Sequence, residues 1–176
     1  MNLPQLIFQN NFTKLIIIIF VTTFNSINAQ SEIPEKYKID SSLAKCKGAD
    51  YKKWDNCYGE YKFPRIEYKG EWKNGAFNGQ GILREAWGDI YIGDFGNNKA
   101  NGYGRQDFYI DGKIIGYFEG EIKNDFLNGQ ATWVNEFGTY KGQFKDHMLD
   151  GYAIAEFTNG SRYEGYWKKD NYHGEG

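Results

Sequence analysis

Two histidines, His147 and His173, are all the imidazole the chain offers in 176 residues. Neither belongs to a His-Glu-x-x-His pair, and no Gly-x-Ser-x-Gly stands near them. Both therefore read as polar residues of hairpin loops. Glu71, Glu85, Glu119 and Glu121 could supply the carboxylates of an acid–base pair. They alternate with lysines, which marks a solvated face instead. Gly-x-Gly pairs recur, but no helix follows them to complete a phosphate cradle. Cys46 and Cys57 lack a neighbouring histidine for a zinc set, and their spacing is not that of a redox Cys-x-x-Cys. An even cysteine count in an exported chain favours a disulfide, worth about 3 kcal/mol for a loop of this size. No catalytic residue, metal ligand or cofactor site is expected. Asn159-Gly160-Ser161 is a glycosylation acceptor in a eukaryotic host and otherwise a turn.

The elements that must position these residues are repeats. Tyr-x-Gly, or Phe-x-Gly, occurs at residues 68, 91, 118, 140 and 163, spaced 23, 27, 22 and 23 apart. A second glycine follows the first by nine residues each time. The pairs are Gly70/Gly79, Gly93/Gly102, Gly120/Gly129, Gly142/Gly151 and Gly165/Gly174. Self-similarity at this period signals stacked repeats. Tyr68, Gly70 and Trp72 alternate with Lys69, Glu71 and Lys73. The parity recurs in Tyr91/Gly93/Phe95, Phe118/Gly120/Ile122, Tyr140/Gly142/Phe144 and Tyr163/Gly165/Trp167. Period two means a strand with one dry and one wet face. These rings, and both glycines of each pair, are expected to make the core of the repeat.

Turn signals punctuate the strands. Asn74-Gly75, Asn97-Asn98, Asn124-Asp125, Lys145-Asp146 and Lys169-Asp170 end the first strand of each copy. A return strand follows, whose glycine parity carries Leu83, Phe108, Trp133 and Phe157 onto the same apolar layer. Its small residues leave room for a ring from a neighbouring copy. The second copy has four extra residues around Ile110–Ile115, which predicts a longer outer turn. One hairpin cannot bury its face alone, so the copies must stack. Ile92 and Tyr166 are expected among the residues of the wet face.

Composition agrees with this architecture. There are 14 Tyr, 13 Phe, 5 Trp and 22 Gly, so rings make the core and glycines the turns. Net charge is −2, which gives no electrostatic footprint for nucleic acid, and the rings that could stack on bases share the inward parity. At the N-terminus, Lys14 precedes the apolar run Leu15–Val21, and Ile27-Asn28-Ala29 offers a small residue for cleavage. The run is too short for a span of about 20 residues and reads as a signal peptide cleaved near Ala29. An uncleaved anchor is the alternative.

Tyr-x-Gly, then Gly-x-Gly nine residues on, then Asp/Asn-Gly before the next Tyr, resembles the MORN (membrane occupation and recognition nexus) repeat over residues 57–176. Cys57-Tyr58-Gly59 is similar to the second strand of a copy. Trp54–Gly59 is similar to the N-terminal cap of exported bacterial members, where a disulfide would pin the cap to the first hairpin. The organisation expected is a leader at 1–29, a linker and cap at 30–56, a half repeat at 57–67, and repeats from 68, 91, 118, 140 and 163. The last copy is incomplete at Gly176. The fold expected is all-β, tandem hairpins stacked into one elongated twisted sheet. The resemblance implies a non-catalytic exported scaffold for protein partners or self-association. The alternatives are phospholipid-surface binding, or targeting of a catalytic domain beyond residue 176. No small-molecule substrate is evident.

Overall fold

In the computed structural model, residues 38–176 are described. The leader assigned to residues 1–29 lies outside them. Eleven strands follow in chain order: β1 (Cys57–Lys62), β2 (Ile66–Lys73), β3 (Ala76–Glu85), β4 (Ile90–Gly96), β5 (Lys99–Ile110) and β6 (Lys113–Lys123). The remainder are β7 (Phe126–Asn135), β8 (Gly138–Lys145), β9 (Met148–Phe157), β10 (Arg162–Lys168) and β11 (Asn171–His173). They form one open sheet in which each strand pairs with its sequence neighbour. Every pairing is antiparallel. Among the described residues the single helical piece is a 3-10 turn at Tyr51–Lys53.

Parity decides what is inside. Tyr68, Trp72, Phe77, Leu83, Tyr91 and Phe95 share one face and are buried, as are Phe118, Ile122, Leu127, Phe144, Leu149 and Trp167. Rings meet across repeat boundaries. Tyr68 stacks on Phe77 at 3.9 Å and meets Phe95 of the next copy edge-on at 5.1 Å. Each buried ring stabilises by about 1.5–3 kcal/mol, so the layer is the main source of cohesion. A shift in register recurs in four copies, between Gly70/Trp72, Gly93/Phe95, Gly120/Ile122 and Gly142/Phe144.

The start of the sheet is covered. Cys46 donates its backbone N–H to Tyr58 O and Tyr58 donates to Ala44 O, both at 2.9 Å, so a short parallel segment satisfies the edge of β1. Cys46 and Cys57 are joined by a disulfide with Cα atoms 4.9 Å apart. Trp54 meets Trp72 edge-on at 5.0 Å and donates Nε1–H to Gly48 O at 3.0 Å.

Four local expectations differ from the structure. The second glycine of each pair is not in the core. Gly79, Gly129 and Gly151 are only half-buried, and Gly102 and Gly174 are exposed. In the adjoining ladders Gly79, Gly102, Gly129 and Gly151 pair with Phe95, Ile122, Phe144 and Trp167, but their positive φ turns the Cβ direction toward the wet face. The side chains that cover four of them belong to the wet face: Glu71 over Gly79, Asp94 over Gly102, Glu121 over Gly129 and Gln143 over Gly151.

The turn of the fourth copy is Asp146–His147, not Lys145–Asp146. Lys145 still pairs with Met148 in the β8–β9 ladder, which leaves the next two residues to turn. The extra residues of the second copy lengthen β5 and β6, which close through a tight turn at Asp111–Gly112 with φ of 50° and 73°. A register shift at Phe108/Tyr109 absorbs the odd residue, so the hairpin is longer and its turn is not. Ile92 is on the face opposite the rings but only 3% exposed. Its cross-strand neighbours are Ile82 and Arg105, an apolar side chain and a long aliphatic stem that flank it.

Candidate interaction surface

The hairpin turns carry a device that recurs between copies. Asn74/Gly75, Asn97/Asn98, Asn124/Asp125, Asp146/His147 and Lys169/Asp170 all have positive φ, between 49° and 73°. In four of these turns the second residue grips the copy before it twice. Its backbone N–H donates to a carbonyl and its side chain accepts the N–H of the same residue. Asn98 holds Phe77, Asp125 holds Ala100, His147 holds Leu127 and Asp170 holds Leu149, through backbone bonds of 2.9–3.1 Å. The side-chain acceptors are Asn98 Oδ1 at 2.8 Å, Asp125 Oδ1 at 2.7 Å, His147 Nδ1 at 3.3 Å and Asp170 Oδ1 at 2.7 Å. Each such bond contributes about 1 kcal/mol. Gly75 holds the cap instead, donating to Trp54 O at 2.7 Å. A Cβ there would lie 2.8 Å from Lys52 O, so a side-chain acceptor has no room.

Sequence reading recognised these residues as turn formers and missed the grip. The signal was present: a side-chain acceptor stands second in four of five turns. His147 and His173 are also not equivalent. His173 ends β11, exposed and opposite Tyr166, whereas Asp170 is the counterpart of His147.

A second device sits at the register shift of the second, third and fourth repeats and explains their second glycine. Asp94 Oδ2 accepts Tyr103 N–H at 2.8 Å, Glu121 Oε1 accepts Gln130 N–H at 3.3 Å, and Gln143 Oε1 accepts Tyr152 N–H at 3.1 Å. The nine-residue interval of the sequence is the span of this bond. Gly102, Gly129 and Gly151 each precede the donor, with φ of 134°, 119° and 121°. A Cβ at any of them would strain the backbone and collide with the accepting side chain. These glycines serve the wet face, where the acceptor folds down onto bare backbone. In the first copy Gly79 has φ of 61° and lies under Glu71 in the same way.

Tyr68, Tyr91 and Tyr163 lie on the glycines of their own copies, not on those of a neighbour. A Cβ at Gly81 would come 2.6 Å from Tyr68 Cζ, and one at Gly104 2.6 Å from Tyr91 Cζ. In register, Gly70 faces Gly81 and Gly93 faces Gly104, so the ring bridges a glycine pair. Tyr68 then donates its hydroxyl to Glu71 O at 3.0 Å, and Tyr91 to Asp94 O at 3.2 Å. Burial pushes both phenols well above their usual range. Gly120 and Gly142 face Ala131 and Ala153 instead, whereas Tyr163 lies over Gly165 and Gly176. Tyr140 and Tyr163, expected in the core, are only half-buried.

Glu85 corrects the expectation of a solvated carboxylate. It is 8% exposed, because it continues the inward parity of Gly81 and Leu83 along β3. Burial first, and the charge of Asp89 second, push its carboxyl up to about 8. Gln106, 2% exposed, occupies the place that Leu83 has one copy earlier. Glu85 Oε1 and Gln106 Oε1 have no hydrogen-bond partner among the described residues. The other three glutamates face outward. Glu71 accepts from Ser41 Oγ at 2.8 Å, Glu121 bonds as above, and Glu119 lies 3.7 Å from Arg105. Arg105 also pairs with Asp107 at 2.7 Å and covers the Tyr117 ring at 3.6 Å.

Apart from Leu43, Phe126 and Tyr172, the exposed large apolar residues fall in two places. Tyr103, Tyr152 and Tyr166 stand on the wet face, where Tyr152 donates to Glu164 Oε1 at 2.7 Å. Trp87, Ile110, Ile114, Ile115 and Phe137 stand at one long edge, in or beside successive hairpin turns, and are 40–54% exposed. The β3–β4 turn reaches the neighbouring hairpin through Asp89 Oδ1, which accepts Tyr109 N–H at 2.8 Å. Among the described residues no group of three or more His, Cys, Asp and Glu could hold a metal ion. No helix there is long and apolar enough to cross a membrane.

Comparison with known proteins converges on the repeat. The chain is 29% identical over 131 residues to human "Alsin", which covers 68% of this chain and 8% of that protein. It is 27% identical over 119 residues to the bovine "ALS2 C-terminal-like protein", covering 68% of this chain and 10% of that one. The human "ALS2 C-terminal-like protein" is 25% identical over 131 residues, 74% of this chain and 11% of its own length. The chain thus spans about a tenth of the curated relatives it matches. The MORN repeat itself is matched at residues 68–90, 91–112, 118–134, 140–162 and 163–176, the copies that the rings and turns delimit, and the chain belongs to the MORN repeat family.

Proposed function

We propose that this chain is an exported, non-catalytic repeat scaffold that binds a protein partner or a second copy of itself on its outward surface. The observation that carries the reading is the apolar edge. Trp87 and Phe137 in turns, and Ile110, Ile114 and Ile115 at the strand ends beside the β5–β6 turn, are 40–54% exposed along one edge. A run of large exposed side chains of this kind marks contact with another molecule. The repeat supplies the rigidity such contact needs, since the rings and turn grips serve cohesion. Export is supported by the apolar run before Asn25 and by the Cys46–Cys57 disulfide, which persists in oxidising compartments.

A phospholipid surface is the second reading, because the same tips could enter a membrane interface. Charge speaks against an anionic membrane: the net value is −2, and basic residues add about 1 kcal/mol each only where they cluster.

The test combines mass in solution, capture from the producing organism's extracellular fraction, and sedimentation with liposomes. A double variant, Trp87→Ser and Ile114→Asp, should keep the wild-type melting temperature and lose self-association or capture. Equal capture by the double variant would overturn the surface assignment. Sedimentation with neutral liposomes, lost in the variant, would replace the protein partner with lipid. Recovery of the chain only inside cells with residues 1–29 attached would overturn export.

A further inference from the structure

The four two-pronged grips are chemically unequal. Three use an oxygen acceptor: Asn98, Asp125 and Asp170. A carboxyl or amide keeps an acceptor oxygen at any pH. The fourth uses the Nδ1 lone pair of His147, which accepts Leu127 N–H at 3.3 Å. That bond exists only while Nδ1 is bare. A proton on Nδ1 turns the acceptor into a donor facing another donor. We propose that the joint between the third and fourth repeats is a pH-sensitive one, in which protonation of His147 at Nδ1 releases Leu127 and loosens that joint alone.

The surroundings support neutral imidazole at rest. Burial among Phe126, whose ring centre is 5.2 Å away, and the β7 backbone holds the His147 pKa below its ordinary value. Two groups oppose this: Asp146 in its own turn, and the backbone of Asp125 in the preceding turn. The Asp146 carboxylate also accepts from Asn128 Nδ2 at 3.1 Å, and the Asp125 carboxylate accepts Ala100 N–H. Lys145 precedes the turn on β8 and Asp150 follows it on β9. The folded ring therefore binds its proton more weakly than the unfolded ring. Its stabilising contribution is complete above the unfolded value of about 6.5 and is lost as pH falls through the depressed one. The backbone bond from His147 N–H to Leu127 O, at 3.1 Å, does not titrate, so the joint loosens without separating.

Amide hydrogen exchange tests this on the whole chain, with the imidazole titration followed by NMR in the same samples. Phe77, gripped by Asn98, is the internal control. Below the His147 midpoint the protection factor of the Leu127 amide should fall at least tenfold relative to that of Phe77. His147→Asn, which copies the Asn98 grip, should abolish the pH dependence and keep Leu127 protected. Leu127 protection that stays level through the His147 titration would overturn the proposal. So would a pH-dependent loss that survives in His147→Asn.

Discussion

The first and fourth repeats share strand lengths, turns and register, yet differ in how their tyrosine is held. Tyr68 is fully buried over the Gly70/Gly81 pair and bonded through its hydroxyl to Glu71 O. Tyr140, at the same place, faces a Gly142/Ala153 pair and remains half-buried. The ring neighbours separate the two environments. Tyr68 is stacked on Phe77 at 3.9 Å and met edge-on by Trp72 and Phe95, whereas Tyr140 meets Phe157 edge-on at 5.9 Å. Phe118 is buried over a Gly120/Ala131 pair, so an alanine methyl alone does not open the layer. The N-terminal end adds the disulfide, Trp54 and the bridge of Lys45 to Tyr58. Closure of the aromatic layer is therefore graded along one molecule built from one motif.

The largest test of that contrast is truncation of rings. Trp72→Ala should destabilise by about 3–5 kcal/mol, a fully buried aromatic, whereas Tyr140→Ala should cost about half as much. Urea unfolding of both variants compares them directly, and equal losses would erase the distinction. Next in size is the glycine exchange. Gly81→Ala puts a Cβ into the Tyr68 ring and should cost about 2–4 kcal/mol.

Removing the disulfide by Cys46→Ser with Cys57→Ser should cost about 3 kcal/mol, with exchange rising first in β1. The buried carboxyl gives a pH test. Glu85 titrates at about 8 when folded and 4.5 when unfolded, so its folded form is favoured at low pH and that advantage fades as pH rises between these values. Glu85→Gln should leave stability at pH 4 nearly unchanged and raise it at pH 8 by up to about 4 kcal/mol. A variant no more stable than wild type at pH 8 would place the carboxyl in solvent. The smallest effect belongs to a turn. Asn98→Gly keeps the left-handed backbone and removes the acceptor for Phe77 N–H, for about 1 kcal/mol.

Much of this architecture was legible because period-two alternation and a fixed repeat interval are backbone constraints written directly in residue types. The rings of Tyr68, Trp72, Tyr91 and Phe95 could be placed without coordinates for that reason. Glu85 follows the same parity and was still misjudged, since charge was weighed above position. Gly79, Gly102 and Gly151 were misplaced for the opposite reason. Their regular spacing suggested a shared core, whereas it records the reach of a polar side chain on the other face. The turn grips were hidden differently. Asn, Asp and His each suit a left-handed turn, so their residue types were already explained before their second role was visible. Ile92 shows the limit of face assignment: parity sets the side, but neighbours such as Arg105 set the exposure. The length of the β5–β6 hairpin could not be separated from a longer loop, because a register shift at Phe108/Tyr109 leaves no mark in the sequence.

Hydroxyl-radical footprinting of the native chain measures face assignment ring by ring. Tyr68, Tyr91 and Trp72 should resist modification by at least tenfold relative to Tyr103, Tyr152 and Tyr166, with Tyr140 between the groups. Modification of Tyr68 as readily as Tyr103 would contradict a single aromatic layer running through the repeats.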